Sequence, residues 1–199
     1  ANDAVSHYKF DGDLTDSKGV NDGIDKGSIQ YIEGKGGMAA KFDNTDYINI
    51  GDKDIGQAEF SVSGLIKFDS FTQWQTIVGR ASDTSWANGW GLFYDASSSS
   101  LRFFVGNYNI NFVASDIVKN VDTWYHVTGT YDGSSIRLYV DGGDVGRYDI
   151  SMAVPSTGDI NIGGFLGGYT DGIGYHQGSI DDLKIFDYAL TPNQILEDY

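Results

Sequence analysis

The 199-residue sequence contains no cysteine and only two prolines, so disulfides cannot cross-link the fold. No apolar run approaches the roughly 20 residues that a membrane helix needs, which argues against membrane insertion. The first residues, ANDAVSHYKF, lack the basic and apolar regions of a secretory signal. We therefore expect a mature product or an excised domain, and export is compatible with this composition if a bound metal replaces disulfides.

Positive charge is scarce, because 13 Lys and Arg stand against 28 Asp and Glu, giving a formal net charge of −15. The phosphates of nucleic acids and anionic membranes would be repelled, so such partners are not expected. Glutamate is also rare, with only Glu33, Glu59 and Glu197. Aspartate dominates because its side chain suits turns, which predicts few helices.

Glycine and aspartate recur at intervals of roughly 8–12 residues, the spacing of a β-sandwich or barrel. Between them lie short runs rich in β-branched and aromatic residues: 47–50, 60–68, 76–79, 90–95, 101–106, 124–131, 135–140, 159–164 and 179–186. In FSVSGLIKF (60–68), Phe60, Val62 and Ile66 fall on one face of a strand. The sequence therefore predicts an all-β sandwich that forms one domain over residues 1–199.

Two local signals are more specific. Asp141-Gly142-Gly143 follows the SIRLYV run and supplies the positive φ angles of a tight hairpin. Near the C-terminus, Thr191 suits the N-cap of a helix, Pro192 its first position, and Gln194 the third position of a capping box. The sequence predicts a short helix there.

The run FDGDLTDSKGVNDG (10–23) concentrates acidic and amide groups in a loop of an already acidic chain. Its oxygen ligands would be drawn from Asp11, Asp13, Asp16, Asn21 and Asp22. Calcium takes six to eight oxygen ligands in proteins, whereas zinc prefers His and Cys, which the loop lacks. We therefore predict a calcium ion, although aspartates that only cap turns remain an alternative.

Three blocks resemble a known family: VDTWYHVTGTYDGSSIRLYVDGGDVG (121–146), GMAAKFDNTDYINIG (37–51) and GSIDDLKIFDYALTPNQI (178–195). They look like the signature strands of laminin-G-like domains in the concanavalin A-like lectin/glucanase superfamily. The resemblance implies a two-sheet antiparallel jelly roll with a short C-terminal helix. In such domains the first loop and an acid of the last strand share one calcium, which adds Asp181 as a ligand. The role of Asp182 stays open.

Catalysis is not supported by the motifs. The hydrolases of this fold resemble one another in an E-x-D-x-x-E strand, and no such strand is present. The sequence has no nucleophile elbow, and His126, inside a predicted strand, is interpreted as a core residue. We therefore predict that this chain is not an enzyme, although the parent protein could degrade polysaccharides.

Two aromatic, glycine-rich loops suit sugar recognition, in which aromatic faces stack on pyranose rings and polar groups bind hydroxyls. The candidate residues in these loops are Trp74, Arg80, Asp83, Trp86, Asn88, Tyr169, Asp171, Tyr175 and His176. Trp86, in a polar loop, is the leading stacking candidate, with a tryptophan that only covers the core as the alternative. The open face of a sheet is a second possibility, through Arg102, Phe104, Tyr108 and Asn109.

Together these features predict a non-catalytic carbohydrate-binding, lectin-like module of a secreted or cell-surface protein, with a structural calcium ion. Its partners would be a polysaccharide or glycan and other domains of a larger chain. The first alternative is a protein-binding, adhesive or structural spacer domain. A polysaccharide-degrading enzyme domain ranks last.

Overall fold

The computed structural model describes residues 3–43, 45–52, 58–81, 88–154, 158–164 and 174–199. These residues form fifteen strands and one helix. The strands are β1 (Ser6–Tyr8), β2 (Ile24–Asp25), β3 (Gln30–Glu33), β4 (Met38–Phe42), β5 (Ile48–Asn49), β6 (Phe60–Phe68), β7 (Gln75–Ala81), β8 (Gly89–Asp95), β9 (Ser100–Gly106), β10 (Phe112–Ser115), β11 (Trp124–Tyr131), β12 (Ser135–Val140), β13 (Gly143–Asp149), β14 (Ile160–Ile162) and β15 (Gly178–Phe186). The helix is α1 (Pro192–Asp198).

The strands form two antiparallel sheets, which confirms the predicted jelly-roll sandwich. Sheet A has the order β13-β12-β11-β6-β15-β4-β3, and β1 pairs with β15. Sheet B has the order β10-β9-β8-β7-β14-β5-β2. Because β1 and β15 are neighbours, the N-terminal loop and the last strand meet at one side of sheet A.

Alternation along the strands places one apolar face of each sheet in a shared core. In β6, the predicted inward residues Phe60, Val62 and Ile66 are all buried in this core. The outward residues Ser63 and Leu65 face away from sheet B. Each sheet therefore has a core face and an outer face.

The two local predictions are confirmed. Asp141 and Gly142 have φ angles of 49° and 76° and form a two-residue hairpin between β12 and β13. Thr191 caps α1, because its hydroxyl accepts a hydrogen bond from the Gln194 N–H while the Gln194 side chain accepts one from the Thr191 N–H. The helix in the described residues, α1, is not long and apolar enough to cross a membrane.

Candidate functional site

Two of the predicted metal ligands, Asp11 and Asp181, face a common cavity of about 280 Å³ on the outer side of sheet A. Asp11 follows β1 in the chain, and Asp181 points outward from β15 because its neighbour Ile180 lies in the core. The cavity is lined by Lys9, Asp11, Gly36, Leu65, Asp181 and Asp182. Residues separated by 170 positions are thus brought together by the pairing of β1 with β15.

The turn between β3 and β4, residues 34–37, closes the cavity and depends on glycine. A Cβ on Gly37 would lie 2.2 Å from the Asp11 Oδ1, and a Cβ on Gly34 would lie 2.6 Å from the Asp181 Oδ2. The Asp11 carboxylate accepts a hydrogen bond from the Met38 N–H at 2.9 Å. Sequence reasoning missed this turn, and its signal was the GKGG run between two strands.

The Asp181 carboxyl is buried, with only 5% of the residue exposed, and burial disfavours its charged form. Burial raises the pKa of Asp181 to about 6; the charges of Asp182 and Asp11 add to the rise, while backbone hydrogen bonds oppose it. A positive ion in the cavity would neutralise these carboxylates.

Asp182 has a different role, which answers the question that the sequence left open. Its φ of 50° lies in a bulge of β15, and its carboxylate contacts His7 and lies 2.9 Å from the Lys184 Nζ. Burial alone would raise the pKa of Asp182, but hydrogen bonds from His7 and Lys184 lower it to about 2. Asp182 is therefore an ion-pair partner at the rim of the cavity.

Asp16 organises the N-terminal loop rather than the cavity. Its Oδ1 accepts hydrogen bonds from the N–H groups of His7 at 2.9 Å and Lys18 at 3.1 Å. Burial opposes ionisation, yet these bonds hold the pKa of Asp16 below its usual value. Asp22 in turn accepts a bond from the Asp16 N–H at 2.8 Å.

The remaining loop ligands also make local contacts. Asp13 accepts a hydrogen bond from the Thr15 N–H at 2.9 Å, and Asn21 donates to the Ser6 hydroxyl at 3.3 Å. In the part of the chain that the structure describes, no group of three or more His, Asp or Glu side chains is arranged to hold a metal ion. The six predicted ligands are thus not brought together; Asp11 and Asp181 among them share the cavity described above.

Four of the predicted sugar contacts, Asp83, Trp86, Tyr169 and Asp171, lie outside the described residues. Asn88 is exposed just before β8. Tyr175 is half-buried beside Tyr47, with ring centroids 6.2 Å apart. These residues do not form one site in the described part of the chain.

Two predicted sugar contacts, Arg80 and His176, have fully buried side chains. His176 packs against the rings of Phe42 and Phe68, and burial lowers the pKa of its imidazole to about 4, so the ring is neutral at pH 7. The Arg80 guanidinium is also 0% exposed; it donates to the Gly158 carbonyl at 2.9 Å and pairs with Asp52. Both side chains support the core rather than a surface.

Trp74 belongs to an aromatic patch on the outer face of sheet B, formed by Trp74, Phe93, Phe104, Tyr108 and Phe112. Trp74 stacks on Phe93 with ring centroids 5.4 Å apart and planes 14° apart, while Tyr108 meets both rings edge-on. Phe93 and Phe104 are buried, whereas Trp74, Tyr108 and Phe112 are half-buried. The patch therefore presents parts of three rings to the surface.

A charged pair lies at the edge of the aromatic patch. The Arg102 guanidinium lies 4.2 Å from the centroid of the Phe112 ring and 2.7 Å from the Asp95 carboxylate. Burial would raise the pKa of Asp95, but hydrogen bonds from Ser97 and Ser98 and the charge of Arg102 lower it. Fixed polar groups thus stand beside apolar ring faces.

A buried cluster under α1 superficially resembles a catalytic triad. The Ser63 hydroxyl lies 3.1 Å from the His126 Nε2 and donates to the Asp198 carboxylate at 2.6 Å. In a triad, the acid orients the histidine through the ring nitrogen opposite the serine. Here Asp198 lies 3.4 Å from the same Nε2, and the cluster is buried. Its geometry is that of a structural network.

Glycoside hydrolysis requires at least two carboxyl groups, and the cavity contains them, but it suits this reaction poorly in other respects. Its volume lies just below the roughly 300–1,000 Å³ of small-molecule sites, and Asp182 is already paired with Lys184 and His7. The three glutamates are exposed. The cavity therefore lacks the setting of a glycosidase site.

The family model described as the concanavalin A-like lectin/glucanases superfamily matches residues 42–196. The chain belongs to this superfamily. No curated protein matches the sequence significantly.

Solved structures share the superfamily fold with this chain at low sequence identity. Domain 4 of AbnA, an extracellular GH43 arabinanase of Geobacillus stearothermophilus solved in complex with arabinotriose, is 22% identical, with a TM-score of 0.79 over 98% of this chain and 97% of that one. The binding domain of botulinum neurotoxin serotype D is 16% identical, with a TM-score of 0.71 over 99% of this chain and 50% of that one. A pentraxin of Limulus polyphemus is 20% identical, with a TM-score of 0.56 over 70% and 68%. At these identities the likeness establishes the fold.

Proposed function

We propose that this chain is a non-catalytic carbohydrate-binding module of a secreted or cell-surface protein. The observation that carries the proposal is the aromatic patch on sheet B, where Trp74, Tyr108 and Phe112 are half-exposed beside the Arg102–Asp95 pair. An aromatic face buries the apolar side of a sugar ring, while adjacent charged groups bind its hydroxyls.

Two further observations support a neutral glycan as the ligand. The net charge of −15 disfavours strongly anionic sugars. A domain of the same fold, similar over nearly its whole length, was solved with a neutral oligosaccharide, arabinotriose. The superfamily also contains enzymes, but no described group of acids has the setting of a catalytic pair.

The test is retention on polysaccharide affinity gels. Trp74→Ala is expected to weaken binding by about tenfold or more, since a central aromatic contact is commonly worth about 2 kcal/mol. Trp124→Ala is the matched control, because Trp124 is a half-buried tryptophan on the outer face of sheet A, where Lys67 covers its ring. Equal retention of both variants and the unaltered protein would remove the patch from the binding site. A chain that no gel retains would refute the function.

We also propose that a structural calcium ion occupies the Asp11–Asp181 cavity. Asp11 and Asp181 would supply carboxylate oxygens, and backbone carbonyls of the 34–37 turn, with water, would complete the oxygen set that calcium prefers. The glycines of this turn allow the backbone to approach both acids. The ion would fasten the N-terminal loop to the last strand of a fold without disulfides.

Calcium is expected to raise the melting temperature by about 5–10 °C. A ligand at 100 times its Kd stabilises the folded state by about 2.7 kcal/mol, and each kcal/mol shifts the transition of a domain of this size by about 2–4 °C. Differential scanning fluorimetry with calcium or EDTA at equal ionic strength measures the shift. Asp11→Asn and Asp181→Asn should abolish it, whereas Asp13→Asn should keep it. Equal shifts in all three variants would place the ion elsewhere, and no shift in the unaltered protein would exclude it.

A further inference from the structure

Asp182 takes part in both the cavity on sheet A and the buried cluster under α1. Its side chain lines the cavity together with Asp11 and Asp181. Its Oδ2 lies 2.9 Å from the Lys184 Nζ, and the same Nζ lies 2.7 Å from the Asp198 Oδ1. A single ammonium group therefore bridges an acid of the cavity and an acid of the C-terminal helix.

This bridge is partly sheltered from solvent, most strongly at its helix end. The exposed fraction of the side chain falls from 40% at Asp182 to 18% at Lys184 and 6% at Asp198. Salt screens partly buried charges much less than exposed ones. A change of charge in the cavity therefore changes the electrostatic energy of the Lys184–Asp198 pair.

The helix α1 can respond to such a change because few buried contacts attach it to sheet A. It has seven residues, of which Ile195 is the buried one, and helices shorter than about 12 residues are marginal without tertiary contacts. A second buried contact is polar, since the Ser63 hydroxyl and the Lys184 Nζ both donate to the Asp198 carboxylate. Docked and locally undocked α1 are thus two states whose balance depends on the partners of Asp198.

A cation held by Asp11 and Asp181 would redistribute Lys184 between its two acids. The cation attracts the Asp182 carboxylate and repels the Lys184 ammonium group, so Lys184 pairs more strongly with Asp198. When α1 undocks and Asp198 leaves, Lys184 keeps Asp182 alone and competes with the cation for the charge of that carboxylate. The docked helix and the bound cation therefore favour each other.

We propose that cation binding in the Asp11–Asp181 cavity is thermodynamically coupled to the docking of α1 through the Asp182–Lys184–Asp198 bridge. This inference rests on the proposed calcium ion and deepens it, because it gives the ion a regulatory effect on the C-terminal helix. Linkage makes the effect reciprocal: undocking weakens calcium binding by the same factor by which calcium favours docking. Couplings between sites are typically about 5–150-fold.

The calcium affinity of helix variants, measured by isothermal titration calorimetry, tests the coupling. Asp198→Asn removes the acid that shares Lys184 and should raise the Kd for calcium by about fivefold or more. Glu197→Gln is the matched control, because it removes the same charge from an exposed position of the same helix and should change the Kd by less than about twofold.

The outcomes separate this inference from the calcium proposal on which it rests. An unchanged Kd in Asp198→Asn, or an equal rise in both variants, would overturn the coupling and leave the calcium ion in place. If the unaltered protein binds no calcium, both proposals are refuted.

A double-substitution cycle shows whether the effect passes through Lys184. In a Lys184→Met background the bridge is absent, so adding Asp198→Asn should change the Kd for calcium by less than about twofold. An effect of fivefold that persists without Lys184 would overturn the bridge. Melting curves identify any variant that fails to fold.

Hydrogen exchange of the unaltered protein tests the reciprocal effect without any substitution. The relevant α1 amides are those that exchange faster than the amides of the central strand β11, since they report local opening of the helix. Saturating calcium should slow their exchange by about fivefold or more, matching the factor found for Asp198→Asn. Exchange of these amides that calcium leaves unchanged would overturn the inference.

Discussion

The network under α1 leads to a quantitative prediction for Asp198→Asn. The Asp198 carboxylate accepts a hydrogen bond from the Lys184 Nζ at 2.7 Å and one from the Ser63 hydroxyl at 2.6 Å, and only 6% of its side chain is exposed. It stands at the C-terminal end of α1, where the helix dipole disfavours negative charge by about 0.3–1 kcal/mol. The network must outweigh this effect for the helix to end on an acid.

The magnitude follows from what the substitution leaves behind. Breaking a buried ion pair costs about 3–5 kcal/mol when the other charge remains buried without a partner. Lys184 keeps Asp182 at 2.9 Å, and 18% of its side chain is exposed, so its charge is not stranded. The substitution also removes the unfavourable interaction of the acid with the helix dipole, which offsets part of this cost. We therefore expect Asp198→Asn to lower the free energy of unfolding by about 2–3 kcal/mol, or the melting temperature by about 5–10 °C.

The pH dependence has a defined sign. Burial alone would raise the pKa of Asp198, but hydrogen bonds from His126, Lys184 and Ser63 lower it well below its usual value. A carboxyl whose folded-state pKa is lowered contributes stability above its unfolded pKa of about 3.9, and the contribution is lost as the pH falls through the folded value. The difference in melting temperature between the unaltered protein and Asp198→Asn should therefore shrink from pH 7 to pH 3.

Thermal melts by circular dichroism measure both quantities, and hydrogen exchange of the α1 amides distinguishes local fraying from global loss. Glu197→Gln is the matched control, since Glu197 is an exposed acid in the same helix. A melting point within 1 °C of the unaltered protein at pH 7, with α1 equally protected, would refute the reasoning. A melting-temperature difference between the unaltered protein and Asp198→Asn that is the same at pH 3 as at pH 7 would also refute it.

Two further substitutions test local geometry. Gly37→Ala should displace the Asp11 carboxylate and at least halve the calcium-induced rise in melting temperature, whereas Gly36→Ala, with no atom within 4 Å of the added Cβ, should preserve it in the same fluorimetry. Thr191→Ala should destabilise α1 by about 1 kcal/mol through loss of the capping box, visible as faster exchange of the helix amides; unchanged exchange would show that packing alone holds the helix.

The parts of the fold that were predictable from the sequence are those set by neighbouring residues. The Asp141–Gly142 hairpin needs two adjacent positive φ angles. The helix start needs the reciprocal hydrogen bonds between Thr191 and Gln194, which are three residues apart. The β6 alternation was equally readable, because burial on one face produces period two. The jelly-roll topology itself came from resemblance to a family and not from these local patterns.

Arg80 shows why a local pattern can fail. A bulge between Thr76 and Val78 places both Ile77 and Val78 in the core, which shifts the phase of the rest of β7. Gly79 therefore points outward, and Arg80 points into the sandwich, where it meets Asp52. A one-residue shift exchanges the two faces of a strand, and nothing in the composition of the segment signals it.

The N-terminal loop shows a second limit of local patterns. Five acidic or amide residues in one loop looked like one ligand set, yet the structure uses most of them as acceptors for nearby N–H groups. The pair that shares a cavity, Asp11 and Asp181, depends on a strand pairing across the whole chain and on a glycine turn elsewhere. Only the resemblance to known domains linked the two acids.

The two outer faces have different physical roles. Sheet A carries the Asp11–Asp181 cavity and, beside it, the network that docks α1, because Leu65 on β6 lies between Asp181 and His126 in register. Buried charges there fasten both chain ends to the central strands. The described part of the outer face of sheet B holds aromatic rings, two facing glycines and an amide cluster. These two glycines, Gly79 and Gly91, are buried. The contacts that close the sandwich on sheet A are therefore separate from the aromatic patch on sheet B.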